Sequence, residues 1–287
     1  MSVIRLMRPH QWVKNGFVFT GLVFGQGWQE PALIQAVLLA FVAFCLASSS
    51  VYVLNDLFDR EQDRLHPSKC QRPIASGAVS VGQAWLLTTG LAATALGLAW
   101  SANPPVAGYV LAYLVLNIAY TLRLKQIVIL DIFCISAGFM LRILAGTDGV
   151  DIPPSNWLLF CGLWATLFLG FIKRRAEIIT LQDSKTEHRK VLGEYGPELL
   201  DKLIGITCTG MILSYSLYTM DIDVRRIHDT DNLIYTVPFV IYACFRYMYL
   251  LHQQEGGGDP SRDLIRDPHI FVAGGAWFIV TLFMVAG

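Results

Sequence analysis

The segment Leu54-Asn55-Asp56-Leu57-Phe58-Asp59-Arg60-Glu61-Gln62-Asp63-Arg64 sets four oxygen-bearing side chains, Asn55, Asp56, Asp59 and Asp63, at short spacings. On a helix, residues three and four apart share a face, so these four fall within an arc of roughly 100°. Crowded carboxylates repel unless a cation stands among them. A hard divalent ion such as Mg2+, held by a few carboxylates and a substrate phosphate, meets that need, with Mn2+ as the alternative ion. We therefore read Asp56, Asp59 and Asp63 as metal ligands and Asn55 as their support. The competing reading is a solvated acidic helix end; against it, the charges share one face and border a long apolar run. The chain continues as His66-Pro67-Ser68-Lys69-Cys70-Gln71-Arg72-Pro73. Pro67 is expected to end the acidic helix and turn Lys69 and Arg72 back towards the carboxylates. Carboxylates, a metal ion and cations together make a clamp for a diphosphate, because charge building on the leaving group is neutralised there. Lys69 and Arg72 could instead be plain topology markers.

Such a cluster needs a scaffold, and the composition indicates which kind. Of 287 residues 54% are hydrophobic and only 15% charged, with a mean hydropathy of +0.48, whereas a soluble domain carries about a quarter charged residues. Apolar runs able to cross a hydrocarbon core of about 30 Å lie near 12–28, 32–54, 81–101, 104–122, 127–146, 157–172, 199–220, 233–252 and 269–286. We expect an all-α, polytopic membrane bundle of about nine transmembrane helices, with residues 1–287 as one domain. The outer loops of that arrangement hold only Arg225 and Arg226, while every other loop cation falls on the inner side. The positive-inside rule then puts the N-terminus and the acidic cluster in the cytoplasm and the C-terminus outside. Equal numbers of acidic and basic residues, 22 each, thus hide a basic inner face suited to phosphorylated ligands or anionic lipid; nucleic acid is not an expected partner. The two long inner loops, 55–80 and 173–198, follow the second and sixth spans and hint at two related halves. The six cysteines show neither metal-ligand spacing nor a disulfide framework. The first apolar run lacks a cleavage site and is read as a retained helix.

At this point the chain resembles the UbiA superfamily of intramembrane prenyltransferases. Asn55, Asp59 and Asp63 match the Asn-x-x-x-Asp-x-x-x-Asp motif, Arg72-Pro73 follows it, and Tyr120-Thr121-Leu122-Arg123-Leu124-Lys125 with Asp131 looks like the Tyr-x-x-x-Leu-Lys element. Where such proteins carry a second Asp-x-x-x-Asp motif, this chain has Phe171-Ile172-Lys173-Arg174-Arg175-Ala176-Glu177. That exchange of acid for base resembles the decaprenyl-phosphate phosphoribosyltransferase branch, as do Arg8-Pro9-His10-Gln11-Trp12-Val13-Lys14-Asn15, the run His188 to Tyr195, and Pro238-Phe239 with Arg246-Tyr247. The resemblance implies Mg2+-dependent transfer of 5-phosphoribose from phosphoribosyl diphosphate to a polyprenyl phosphate, releasing diphosphate. The setting it implies is the cytoplasmic face of a bacterial inner membrane, in cell-wall biosynthesis, as a supply of arabinogalactan precursor. It marks Asp59, Asp63 and Lys173 as catalytic, and Lys14, Asn15, Asn55, Lys69, Arg72, Tyr120, Lys125, Arg174, Glu177 and Arg189 as substrate-binding. Homo-oligomers, a trimer among them, stay open.

The residues suit this chemistry on their own terms. The acceptor phosphate is already an anion, so no general base is required; the site must instead bring anions together, which explains the surplus of Lys and Arg. Lys14, Lys125, Lys173 and Arg174 are the candidates for that screening, and Lys173 and Glu177 share a helical face. Glu177 could bind metal or hold a ribose hydroxyl. Asp131 either pairs with Lys125 or touches substrate, and Arg142 is expected to cap carbonyls or pair inside the bundle. Two other classes compete: a prenyltransferase acting on an aromatic acceptor, and a transporter. The one-sided charge cluster and the scarcity of mid-membrane charges count against the transporter.

Overall fold

A computed structural model describes residues 2–25, 27–66, 69–182, 194–253 and 266–286, and every regular element among them is helical. Pro67 and Arg189, with the surrounding run from His188, lie outside the described residues. The α-helices are α1 (Ser2–Met7), α2 (Thr20–Phe24), α3 (Pro31–Phe58), α4 (Arg60–Leu65), α5 (Val81–Ala102), α6 (Pro104–Leu122), α7 (Leu130–Ala145), α8 (Asn156–Gln182), α9 (Pro197–Met220), α10 (Ile222–His228), α11 (Val237–His252) and α12 (Pro268–Ala286). Among the described residues eight helical stretches are long and apolar enough to cross a membrane: α3, α5, α6, α8, α9 and α12, and α7 and α11 together with the 3-10 turns that extend them to Leu130–Val150 and Asn232–His252. In lipid a helix satisfies its own backbone, which is why apolar runs of this length fold so. Their starts are written in the chain. Pro31, Pro104 and Pro197 occupy first turns, where no backbone donor is needed. Ser80 and Gln83 form a reciprocal capping box at the head of α5.

The first expected span, 12–28, departs from the helix anticipated for it. A 3-10 segment of 11 residues (Pro9–Phe19) leads into the five-residue α2. Its contacts march backwards along α3: Arg8 meets Asp56 at 2.6 Å, Trp12 donates to Ser49 at 3.0 Å, Asn15 donates to Ser48 at 3.3 Å, and the Phe19 and Phe41 rings lie 5.0 Å apart. At about 2.0 Å per residue the 3-10 portion covers about 22 Å, and α2 adds about 7 Å. Together they approach the thickness of the hydrocarbon core. Among the described residues eight helices are long and apolar enough to cross a membrane, one fewer than the nine expected, and the first expected span is this irregular segment instead. Close backbone packing explains the irregularity. A Cβ on Gly146 would stand 1.7 Å from the Val18 carbonyl oxygen, and one on Gly21 would stand 2.0 Å from the Gly146 oxygen. Two glycines thus let the segment lie directly on the turn after α7.

The chain divides into two compact units. The first comprises residues 1–124 and 138–154, the second 125–137 and 155–287, so α7 gives its first turns to the second unit and its remainder to the first. In the first unit, Ala40, Ala43, Ala47, Ala95 and Ala99 let α3 and α5 approach closely around Phe44, Val106 and Val110, and Ser50 donates to the Thr88 carbonyl at 2.9 Å. In the second, Phe168, Phe171 and Ile172 of α8 pack with Leu200, Ile204 and Cys208 of α9 and with Tyr247 and Leu251 of α11.

Candidate active site

In the first unit the acidic cluster sits where α3 bends into α4. Asp59 occupies the bend, yet helical bonding carries through it: the Asp59 amide donates to the Asn55 carbonyl at 2.9 Å and the Asp63 amide to the Asp59 carbonyl at 2.8 Å. Asn55, Asp59 and Asp63 therefore occupy successive turns. Asp56 and Asp63 are only 3% and 4% exposed. Arg72 Nη1 donates to Asp56 Oδ1 at 3.1 Å and to Asp63 Oδ2 at 2.7 Å, and Arg8 Nη2 reaches the same Asp56 oxygen at 2.6 Å.

Two guanidinium groups thus supply positive charge to the carboxylates expected to hold a metal ion, and Asp56 is the buried counter-ion of Arg8 and Arg72. Of the two cations expected to turn back, Arg72 does so; Lys69 is exposed and forms no ion pair among the described residues. Arg60 and Arg64 are engaged by Glu61, whose carboxyl is held below its ordinary range first by the Arg60 hydrogen bond and then by the Arg64 charge. The Asn55 carboxamide oxygen accepts from the Thr121 hydroxyl, one residue past the half-buried Tyr120.

Among the described residues no three His, Cys, Asp or Glu side chains are arranged as a ready metal cage. Mg2+ does not require one, since it is commonly held by one or two carboxylates with substrate phosphates completing the shell. The Asp59 carboxylate and the second oxygen of Asp63 offer the hard oxygen donors that such an ion takes.

A second polar centre of this unit lies deeper. Arg142, 5% exposed, donates from Nε to Asn15 Oδ1 at 2.7 Å, from Nη1 to the Gly138 carbonyl at 2.7 Å and from Nη2 to the Tyr113 hydroxyl at 3.1 Å. The Tyr113 ring lies 4.5 Å from the guanidinium carbon and the Phe139 ring 5.4 Å. Arg142 thus caps a carbonyl and pairs within the bundle, as expected. Asn15 needs correction as a substrate contact: it is fully buried, and its carboxamide is engaged by Arg142, Cys45 and Ser48. Lys14, its neighbour, is half-buried on the 3-10 segment.

In the second unit, Lys125 is half-buried in a short 3-10 turn, and Asp131 is fully buried in the first turn of α7. Both Asp131 oxygens are engaged: Arg174 Nε reaches Oδ2 at 2.7 Å and the Tyr195 hydroxyl reaches Oδ1 at 2.7 Å. Arg174, 3% exposed, also pairs with the Glu177 carboxylate. The expectation of Arg174 as open phosphate-binding charge is therefore corrected; it is an internal ion-pair centre, and Glu177 pairs with it rather than with Lys173. Arg175 is likewise engaged, with Asp201 at 2.5 Å and the Leu251 carbonyl at 3.1 Å. Of the three consecutive cations Lys173 is the exposed one.

Arg8 and Tyr195, which the sequence offers only as parts of short motifs, acquire their partners in the fold. Arg8 lies 48 residues from Asp56 and Tyr195 lies 64 from Asp131, so no local spacing could have paired them. Burial, followed by the neighbouring Asp131 carboxylate, pushes the Tyr195 phenol above its ordinary value and keeps it a proton donor.

Comparison with known proteins places these residues in context. The sequence model of the UbiA prenyltransferase family matches residues 16–266. A decaprenyl-phosphate phosphoribosyltransferase of Corynebacterium glutamicum is 34% identical over 96% of this chain and 84% of its own length. One from Mycolicibacterium smegmatis is 32% identical over 96% of this chain and 90% of its own. A UbiA homolog from Archaeoglobus fulgidus bound to DMAPP and Mg2+ superimposes with a TM-score of 0.73 over 100% of this chain and 99% of that one, at 18% identity. That last likeness is one of fold.

Proposed function

The chain belongs to the UbiA prenyltransferase family, and within it we propose that this protein transfers 5-phosphoribose from phosphoribosyl diphosphate to a polyprenyl phosphate. The observation that carries the reading is the Lys173–Glu177 stretch, where an exposed lysine and an internally paired arginine stand in place of a second acidic motif. A donor with a 5-phosphate and a diphosphate, meeting a lipid phosphate, brings three anionic groups together. Such groups need cationic partners in a partly dehydrated site. The names of the two bacterial relatives support the same assignment.

In the proposed reaction an acceptor phosphate oxygen forms a bond to ribose C1 as the bond from C1 to the diphosphate oxygen breaks. The acceptor is an anion throughout, so no proton has to be removed. A magnesium ion, if bound here as in the Archaeoglobus homolog, would supply neutralisation of the leaving diphosphate. Asp59 and Asp63 are the residues to hold it, with Asn55 beside them. In the first unit Arg72 and Lys69 are the cations proposed for the diphosphate, and in the second unit Lys125 and Lys173 are those proposed for phosphate groups. We place this site at the cytoplasmic face of the plasma membrane, because the inner loops carry nearly all the loop cations. Purified protein given labelled phosphoribosyl diphosphate, Mg2+ and polyprenyl phosphates should form a labelled lipid and free diphosphate. Prenyl transfer to 4-hydroxybenzoate, with phosphoribosyl diphosphate left intact, would overturn the assignment.

A further inference from the structure

Residues 128–130 form a tight turn of unusual conformation. The Leu130 amide donates to the Val128 carbonyl at 2.8 Å, closing a three-residue turn, and the central Ile129 has φ 69°. A γ-turn with positive central φ is rare and strained, and a β-branched residue in that region is a true outlier. Such strain persists only where surrounding contacts over-determine it, and it gathers at functional sites. The contact here is Tyr195, whose hydroxyl oxygen accepts from the Ile129 amide at 2.6 Å while its proton goes to Asp131 Oδ1 at 2.7 Å. Asp131 in turn holds Arg174 through its other oxygen, and Arg174 holds Glu177. Tyr195, Asp131 and Arg174 are each buried; Glu177, 34% exposed at its side chain, is where the chain of bonds emerges. Lys173 is exposed one helical turn away from it.

We propose that Tyr195 is a positioning residue: its hydroxyl ties the strained Ile129 turn to Asp131 and, through Arg174, sets the Glu177 carboxylate that meets the phosphoribosyl donor. The last step rests on the phosphoribosyltransferase reading; the tie itself does not. Tyr195→Phe keeps the ring and removes only the hydroxyl, leaving the Ile129 amide and one Asp131 oxygen without it.

In that variant the KM for phosphoribosyl diphosphate should rise about tenfold with kcat changed less than about threefold. Amide exchange of residues 129–131 should accelerate. Glu177→Gln, at the exposed end, should reproduce the KM-selective defect, and the double variant should be no worse than the poorer single one, because both interrupt one line of contacts. Ile129→Gly, which takes positive φ without strain, should restore part of the loss in Tyr195→Phe. Wild-type exchange in Tyr195→Phe would sink the tie, and additive defects in the double variant would sink its extension to Glu177. The exchange measurement needs no substrate, so a wild-type enzyme inert towards phosphoribosyl diphosphate would overturn the functional reading while still leaving the tie decided.

Discussion

Arg72 is the side chain on which the acidic cluster turns, since it bridges Asp56 and Asp63 and shares Asp56 with Arg8. This separates acids that the motif treats alike. Asp59→Asn should lower turnover at least tenfold, about 1.4 kcal/mol in the barrier, in initial rates at saturating Mg2+. Asp63→Asn should lose activity and stability together, because it also strips a partner from Arg72. Arg72 is 29% exposed at its side chain, so Arg72→Ala should cost more than the ~1 kcal/mol of an exposed pair and less than the ~3–5 kcal/mol of a fully buried one. An Asp63→Asn protein that melts at the wild-type temperature would contradict this role for the Arg72 pair. The second basic stretch splits the same way. Lys173→Ala should weaken use of phosphoribosyl diphosphate or lipid phosphate about tenfold or more without unfolding. Arg174→Ala should destabilise by ~3–5 kcal/mol, because it leaves the buried Asp131 and its neighbour Glu177 without their common cation. Thermal melts beside initial-rate kinetics distinguish the two outcomes.

The element whose form matters most is the first crossing. A run of apolar residues predicts a helical span, but the structure holds a 3-10 segment with α2 there, pressed against the turn at Gly146 and tied to Arg142 through Asn15. Gly146→Ala drives a methyl group into the Val18 carbonyl and should cost at least the ~1–3 kcal/mol of an overpacked core, seen as a lowered melting temperature. Gly90 lies on the exposed face of α5, where an added methyl group would meet nothing within 4 Å. Gly90→Ala should therefore be neutral or stabilising by up to ~1 kcal/mol. If both changes behaved alike, direct backbone contact would not be what shapes this crossing.

For the molecule as a whole, five of the candidate spans, α5 to α9, separate residue 60 from residue 226, and the proposed topology puts these two positions on opposite faces of the membrane. Single cysteines at these two positions, in a background whose native thiols do not react, should label from opposite sides with a membrane-impermeant reagent. Labelling from one side would remove one of those spans and overturn the cytoplasmic placement proposed for the acidic cluster. Each compact unit carries its own set of buried ion pairs, Asp56 and Asp63 with Arg8 and Arg72 in one, Asp131 and Glu177 with Arg174 in the other.

The helical class, the positions of the long apolar spans and the stacking of Asn55, Asp59 and Asp63 on successive turns were all legible in the linear chain. These are local properties: backbone bonding between residues four apart and the length needed to cross lipid act within one segment. The family likeness was legible for a related reason, because its motifs are short and contiguous. The partners of the buried charges were not. Arg142 meets Asn15 across 127 positions, Arg174 meets Asp131 across 43, and Tyr195 closes on both Ile129 and Asp131. A charge withdrawn from water takes whichever counter-group packing brings within reach, and no periodicity records that choice. It is this packing that made Asn15 and Arg174 internal, left Lys173 at the surface and bent the Ile129 turn against its preferred conformation.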